Sequence, residues 1–345
     1  MALLWIDGFE GYGTTIDDTP LPVGILTSRY NTYKDGSSTT YEKIKAGRLS
    51  SYGLWLHLDY VETPALTSED TVILGFAFRA EALGTYDLFS LHDSAITSGY
   101  DYAINIIGTE LQLKSRGVTV ATTSGLALTI DTWYWLEFKV KCHATLGTYE
   151  LRIGEVDVLS DTGLDTRAYS TVTKYDVVRL GTQGSFNDYT FDDFYICDSS
   201  GSDNNDFLGN CYVNAIYPNS DGYYTDLTPL SGANYENVDE EVIDSDTTYV
   251  EGVTGEKDSY VYSTISGTED ILGIQVNTDC RETDAESFQL KTLIRSGSAD
   301  YTNAGEVLGA TSYVTKRYIS ETDPHTSVAW ESTTINSAEF GLEVL

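Results

Sequence analysis

Basic residues are scarce in this chain of 345 residues: 20 Lys and Arg stand against 53 Asp and Glu, a formal net charge of −33. That balance excludes a duplex-binding role, because counterion release needs a dense Lys/Arg face. An anionic bilayer would repel the chain for the same reason. Methionine occurs once and proline six times, whereas tyrosine occurs 26 times and glycine 30. Such a composition favours strands and tight turns over helices. No apolar run approaches the roughly 18 residues that a membrane span requires. Residues 1–13 (MALLWIDGFEGYG) lack a basic leader and read as the first strand of a domain, not a secretory signal. Four cysteines, Cys142, Cys197, Cys211 and Cys280, show no C-x-x-C spacing; they read as structural thiols, with two disulfides as the alternative.

What is present is apolar/polar alternation nearly everywhere. Strands are expected at 54–60, 72–80, 100–107, 110–114, 133–141, 149–153, 175–181, 191–198 and 210–217. Short strands at this spacing, joined by turn residues, indicate a sandwich or jelly roll. The polar, Gly/Pro/Asp-bearing stretch 218–241 reads as a connector. Strands resume at 247–253, 259–266, 271–278, 288–296, 312–320 and 340–345, with one short helix or turn at 332–339. Charge shifts along the chain as well, since residues 201–345 hold 6 basic residues against 26 acidic ones. The expectation is an all-β chain: a jelly-roll domain over 1–217, a connector over 218–241 and a smaller β-sandwich over 242–345.

The stretch Asp131, Thr132, Trp133, Tyr134, continuing to Val140 and followed by YELRI at 149–153 and Gly154, resembles the centre of a concanavalin A-like or laminin-G-like jelly roll. The segment FDDFYI at 191–196, with NNDFLG at 204–209 and Tyr217–Pro218, resembles a segment of structural proteins of tailed bacteriophages. The C-terminal Trp330, Asn336 and FGLEV at 340–344 are similar to the end of such proteins. The resemblance implies a virion component made in the host cytoplasm, partnered by other virion proteins and by copies of itself. Relatives of this jelly roll include glycan binders and plain protein-contact modules.

Four groups of residues are candidates for chemistry. A glucanase of this architecture carries Glu-x-Asp-x-x-Glu along one strand, so that alternation aims its carboxylates into one groove. The nearest match, Glu155, Asp157 and Ser160, lacks the third carboxylate. The acidic turn with Asp198, Asp203 and Asp206 offers oxygen ligands for a weak Ca²⁺ site, although its spacing departs from a known calcium loop. The four histidines, His57, His92, His143 and His325, are too scattered for a metal motif. The aromatic run Tyr30, Tyr33, Tyr41, Tyr52 and Trp55, next to the locally basic stretch 27–48, is a candidate contact surface for glycan or a partner.

These observations together lead to the expectation of a non-enzymatic structural protein on the surface of a tailed phage, as head decoration or a tail or baseplate accessory. No catalytic residue and no cofactor beyond weak Ca²⁺ are expected, and neither nucleic acid nor membrane is expected as a partner. The alternatives are a glycan-binding adhesin for host attachment and, behind it, a polysaccharide-degrading enzyme.

Overall fold

In the computed structural model, residues 2–13, 23–30, 32–33, 42–57, 59–96, 102–182, 188–283, 288–308 and 311–345 are described. The chain is all-β and divides into two units, Met1–Val213 and Asn214–Leu345. No helix among the described residues is long and apolar enough to cross a membrane.

Unit 1 is a jelly-roll sandwich of antiparallel strands. Its eight-stranded sheet runs in the order Val156–Leu164, Gly147–Ile153, Trp133–Lys141, Thr71–Ala80, Asp188–Asp198, Tyr52–His57, Glu42–Ala46, with Leu3–Asp7 also paired to Asp188–Asp198. The seven-stranded sheet runs Val118–Thr122, Glu110–Ser115, Tyr102–Ile107, Thr85–His92, Val177–Gly181, Tyr60–Glu62, Thr32–Tyr33.

Period-two alternation decides which side chains fill the space between the sheets. In Thr71–Ala80 the even positions face inward, and Phe76 meets Phe89 of the opposite sheet edge-on at 5.6 Å. Phe89 in turn meets Phe138 at 5.6 Å, and Phe76 meets Phe191 at 5.6 Å. Such edge-to-face ring pairs add stabilisation beyond their buried area. The odd positions, Gly75, Ala77 and Arg79, therefore lie on the face turned away from the seven-stranded sheet.

Two features shape that outer face. A β-bulge interrupts the pairing of Asp188–Asp198 with Thr71–Ala80 between Asp192 and Tyr195, and Asp193 adopts a positive φ of 54° there. The extra residue bends the strand and leaves both Asp192 and Asp193 buried. Gly75, opposite Tyr195, has no Cβ because one would lie 2.2 Å from the tyrosine ring.

Unit 2 has a six-stranded sheet in the order Pro218–Thr225, Lys257–Tyr262, Glu339–Val344, Gln289–Ser296, Ala299–Thr302, with Glu306–Val307 also paired to Gln289–Ser296. Ile294, Phe340, Trp330, Ile335 and Ala338 form its core, and Ile274, Val276 and Tyr318 of the two-stranded sheet Ile274–Cys280/Val314–Ser320 pack onto it. The unit is thus a second, smaller β-sandwich. The short helix Ser332–Ile335 is closed by a capping box between Glu331 and Thr334.

Three local expectations are corrected. Residues 211–217 form no strand, and residues 218–241 are no simple connector, because Pro218–Thr225 pairs with Lys257–Tyr262 inside unit 2. It is an edge strand, where proline costs no ladder bond. The strand expected over 247–253 shortens to Val250–Glu251. None of the four cysteines forms a disulfide.

Candidate functional site

Register places five side chains in one row across the outer face of the eight-stranded sheet. Lys43 pairs with Trp55, Trp55 with Thr190, Thr190 with Arg79 and Arg79 with Trp133, each on the next strand. Directly paired residues share a face, and strands lie about 4.8 Å apart, so Trp55 and Trp133 are about 14 Å apart along the row.

Each tryptophan carries a cation. Lys45 Nζ lies 4.2 Å and Lys43 Nζ 5.4 Å from the Trp55 ring, and the Arg79 guanidinium lies 5.3 Å from that of Trp133. His57 stacks on Trp55 at 5.6 Å with the rings 8° from parallel. Its Nδ1 is held by Asp188, the residue directly opposite. Lys45 reaches Glu81 at 2.6 Å, while Arg79 is 4.0 Å from the same carboxylate and donates from Nη2 to Thr190 Oγ1 at 3.5 Å. Two donors on this face, Trp55 Nε1 and Arg79 Nε, have no hydrogen-bond acceptor among the described residues. Lys43, Arg79 and Trp133 are partly exposed, whereas Trp55 is 9% exposed and Thr190 is fully buried, so the row presents the Trp133 ring and cationic donors, groups that sugar rings and their oxygens meet in binding sites.

Next to the row, residues 206–213 cross the same face as a strap. Lys139 binds Asp206 at 2.7 Å, and the Phe207 ring sits 4.5 Å from Lys139 Nζ and 4.1 Å from the Arg152 guanidinium. The Leu208 amide donates to Tyr195 Oη at 3.1 Å. Gly209 N and Tyr195 Oη both donate to Glu137 Oε1, at 2.8 and 2.7 Å. Arg48 donates to Asp193 at 2.8 Å, to Asn210 and to the Cys211 carbonyl, and Val213 N donates to Asp193 at 2.8 Å.

Beneath the strap the titrations are displaced. Burial pushes the Glu10 carboxyl up to about 9, with Asp192, Asp7 and Asp193 adding to it. Burial and then the Asp193 charge push Asp192 up to about 7. Burial likewise pushes the Cys211 thiol up to about 12, which makes it a poor nucleophile.

On the outer face of the seven-stranded sheet lies a cavity of about 160 Å³, lined by Asp87, Ala103, Lys114, Arg116 and Gly117. None of these is aromatic, so the cavity offers hydrogen bonds without a stacking surface.

The aromatic run read from the sequence does not form one groove. Tyr30 is 2% exposed, packed on Trp5 at 5.3 Å and bonded to Asp7 at 2.9 Å. Tyr33 lies in the strand Thr32–Tyr33 of the other sheet, and Tyr41 lies outside the described residues. Tyr52 has the inward parity of its strand, so Trp55 alone of the five falls in the row.

Nor do the three aspartates converge on a cation. Asp198 accepts from Ser200 N and Glu69 N, Asp206 is engaged by Lys139, and Asp203 is exposed with Ser202. Among the described residues no three His, Cys, Asp or Glu side chains gather for a metal. Asp157 instead accepts from Ser160 at 2.7 Å. Thr190, Arg79 and Trp133 were the residues missed. Alternation foretold the strands of Arg79 and Trp133, whereas Thr190 lies just before the strand expected at 191–198, and nothing foretold that these strands are neighbours.

No protein-family model matches the sequence, and no curated protein does. Among solved structures, the GH131 β-glucanase catalytic domain from Podospora anserina is 15% identical over 59% of this chain and 97% of its own, with a TM-score of 0.36. Domain 4 of a GH43 extracellular arabinanase from Geobacillus stearothermophilus, solved in complex with arabinotriose, is 15% identical over 48% of this chain and 77% of its own (TM-score 0.36). A carbohydrate esterase from the Shiga toxin-encoding bacteriophage phi24B is 12% identical over 48% and 88% (TM-score 0.34). These neighbours are carbohydrate-active or carbohydrate-binding domains. The expectation of a non-enzymatic chain is therefore withdrawn, since enzymes are found among the similar structures. At this identity the likeness concerns fold alone and assigns no activity.

Proposed function

We propose that unit 1 is a glycan-recognising module whose contact surface is the partly exposed part of the row, Lys43, Arg79 and Trp133, with Trp55 and Thr190 buried within it. The observation that carries this reading is the register itself, which sets two tryptophans on one face with a hydroxyl and a guanidinium between them. A glycan lying across the strands would meet the Trp133 ring at one end, the Arg79 guanidinium beside it and the lysines over Trp55 at the other. The test is a glycan array followed by titration calorimetry on the full chain, with and without EDTA. Binding that is lost in Trp133→Ala supports the reading; a chain that binds no glycan overturns it. Reducing-end release in the same incubations separates a module that only binds from one that also cleaves.

The setting we propose is the surface of a tailed-phage particle, among other virion proteins and further copies of this chain. The resemblance of 191–218 and 330–344 to tailed-phage structural proteins supports it. Immunogold labelling of purified particles tests this: gold over the head favours decoration, gold at the tail end favours host attachment, and unlabelled particles overturn the proposal.

A further inference from the structure

We infer that the glycan seated on this row is anionic, and that Arg79 selects it by receiving a carboxylate or sulfate group. The inference rests on the glycan-recognition reading and narrows it to a substrate class.

The argument begins with how most other arginines are satisfied. Arg48, Arg152, Arg167, Arg179, Arg281 and Arg295 each hold a carboxylate at 2.5–3.0 Å. In a chain with 53 acidic residues this is the expected outcome. Arg79 departs from it. The carboxylate that reaches it, Glu81, is 4.0 Å away and lies 2.6 Å from Lys45 instead. Its Nη2 makes one long bond to the neutral Thr190 hydroxyl, and its Nε has no acceptor among the described residues. A guanidinium is a planar fork of donors that matches the two oxygens of a carboxylate or sulfate; the Nε edge of this one is buried, so an incoming anion would be met by the two Nη groups of a side chain 22% exposed.

The neighbours point the same way. Lys43 and Lys45 stand over Trp55 at the far end of the row, while the acids close by, Glu81 and Asp188, are engaged by Lys45 and His57. The Arg79 guanidinium stacks on Trp133, which orients it without neutralising it. A guanidinium with no carboxylate nearer than 4.0 Å among the described residues, on a chain of net charge −33, favours a ligand that brings its own negative charge to this place.

The experiment is calorimetric titration of the full chain with three polymers: a polyuronate, the same polymer after carboxyl reduction, and a sulfated neutral glucan. The expected result is binding to the polyuronate or the sulfated glucan, weakened about tenfold to a hundredfold by Arg79→Gln, with the carboxyl-reduced polymer binding about as much more weakly than the polyuronate. Arg79→Lys, which keeps the charge and loses the fork, is expected to recover some of that loss. Which charged polymer binds identifies the anion. The comparison of polymers on the unaltered chain needs no variant to fold. Equal binding of neutral and charged polymers, unaffected by Arg79→Gln, overturns the anionic selection and leaves glycan recognition in place. Binding to none of the three, nor to any array glycan, overturns both.

Discussion

Gly75 and Tyr195 face each other on adjacent strands, with the tyrosine ring filling the space that a side chain on Gly75 would need. Tyr195 in turn holds Glu137 and the Leu208 amide. Gly75→Ala is therefore expected to destabilise the protein by about 1–3 kcal/mol, as overpacking of a tight interior does. Denaturant unfolding measures it, and faster amide exchange at Leu208 and Gly209 would locate the damage at the strap. An unchanged unfolding midpoint would refute the close packing.

Stability should fall as pH rises from about 5 to about 9. Glu10 and Asp192 have folded-state values of about 9 and about 7, both above their unfolded ones, chiefly because of burial. The folded chain then binds more protons than the unfolded chain across this window. Their contribution is fully present below about pH 4, and is lost as pH passes about 7 for Asp192 and about 9 for Glu10. Urea midpoints across this range should decline in the unaltered chain. Glu10→Gln should flatten the curve at its upper end and Asp192→Asn at its lower end; a midpoint that rises with pH would contradict the assignment.

Arg48 is the cation that serves the buried bulge. Its side chain and that of Asp193 are 13% and 3% exposed. Arg48→Met should cost about 3–5 kcal/mol, because it strands a buried carboxylate. Adding Asp193→Asn should recover much of that loss. Double-mutant thermodynamics would read the coupling directly, and strict additivity would argue against the pair.

In unit 2, Trp330 is 1% exposed and donates from Nε1 to the Ser320 carbonyl at 3.1 Å. Trp330→Phe should cost about 2–4 kcal/mol, through the orphaned carbonyl and the space the smaller ring leaves. Amide exchange in Lys257–Tyr262 and Gln289–Ser296 should report the loss.

How far the sequence could be read depended on what each element buries. The strand 133–141 appears with the bounds that alternation indicates, because Trp135, Leu136, Phe138 and Val140 are all buried. Pro218–Thr225 escaped notice because an edge strand of half-exposed polar residues carries little apolar signal. Residues 211–217 misled for the opposite reason. Cys211 and Val213 belong to the strap tied to the sheet of unit 1, and Ile216 packs on the core of unit 2, so their alternation does not come from a strand paired at its edges. Of the row, only the strands of Trp55, Arg79 and Trp133 were legible; Lys43 and Thr190 fell outside any strand expected from the sequence. Its members come from positions 43, 55, 79, 133 and 190, and nothing local to any of them announces which strands lie side by side.

The strap also governs how the chain leaves the sheet. After Asp198 the backbone doubles back across the face of its own sheet, tied down at Glu137, Tyr195 and Asp193 before it reaches Val213. A pull applied beyond Val213 meets these few side-chain tethers first, and they release in succession. The strand Asp188–Asp198, hydrogen-bonded along both edges, feels the load only after the strap has peeled away. The strap therefore has to come away from Glu137, Tyr195 and Asp193 before a load applied beyond Val213 reaches the paired strand.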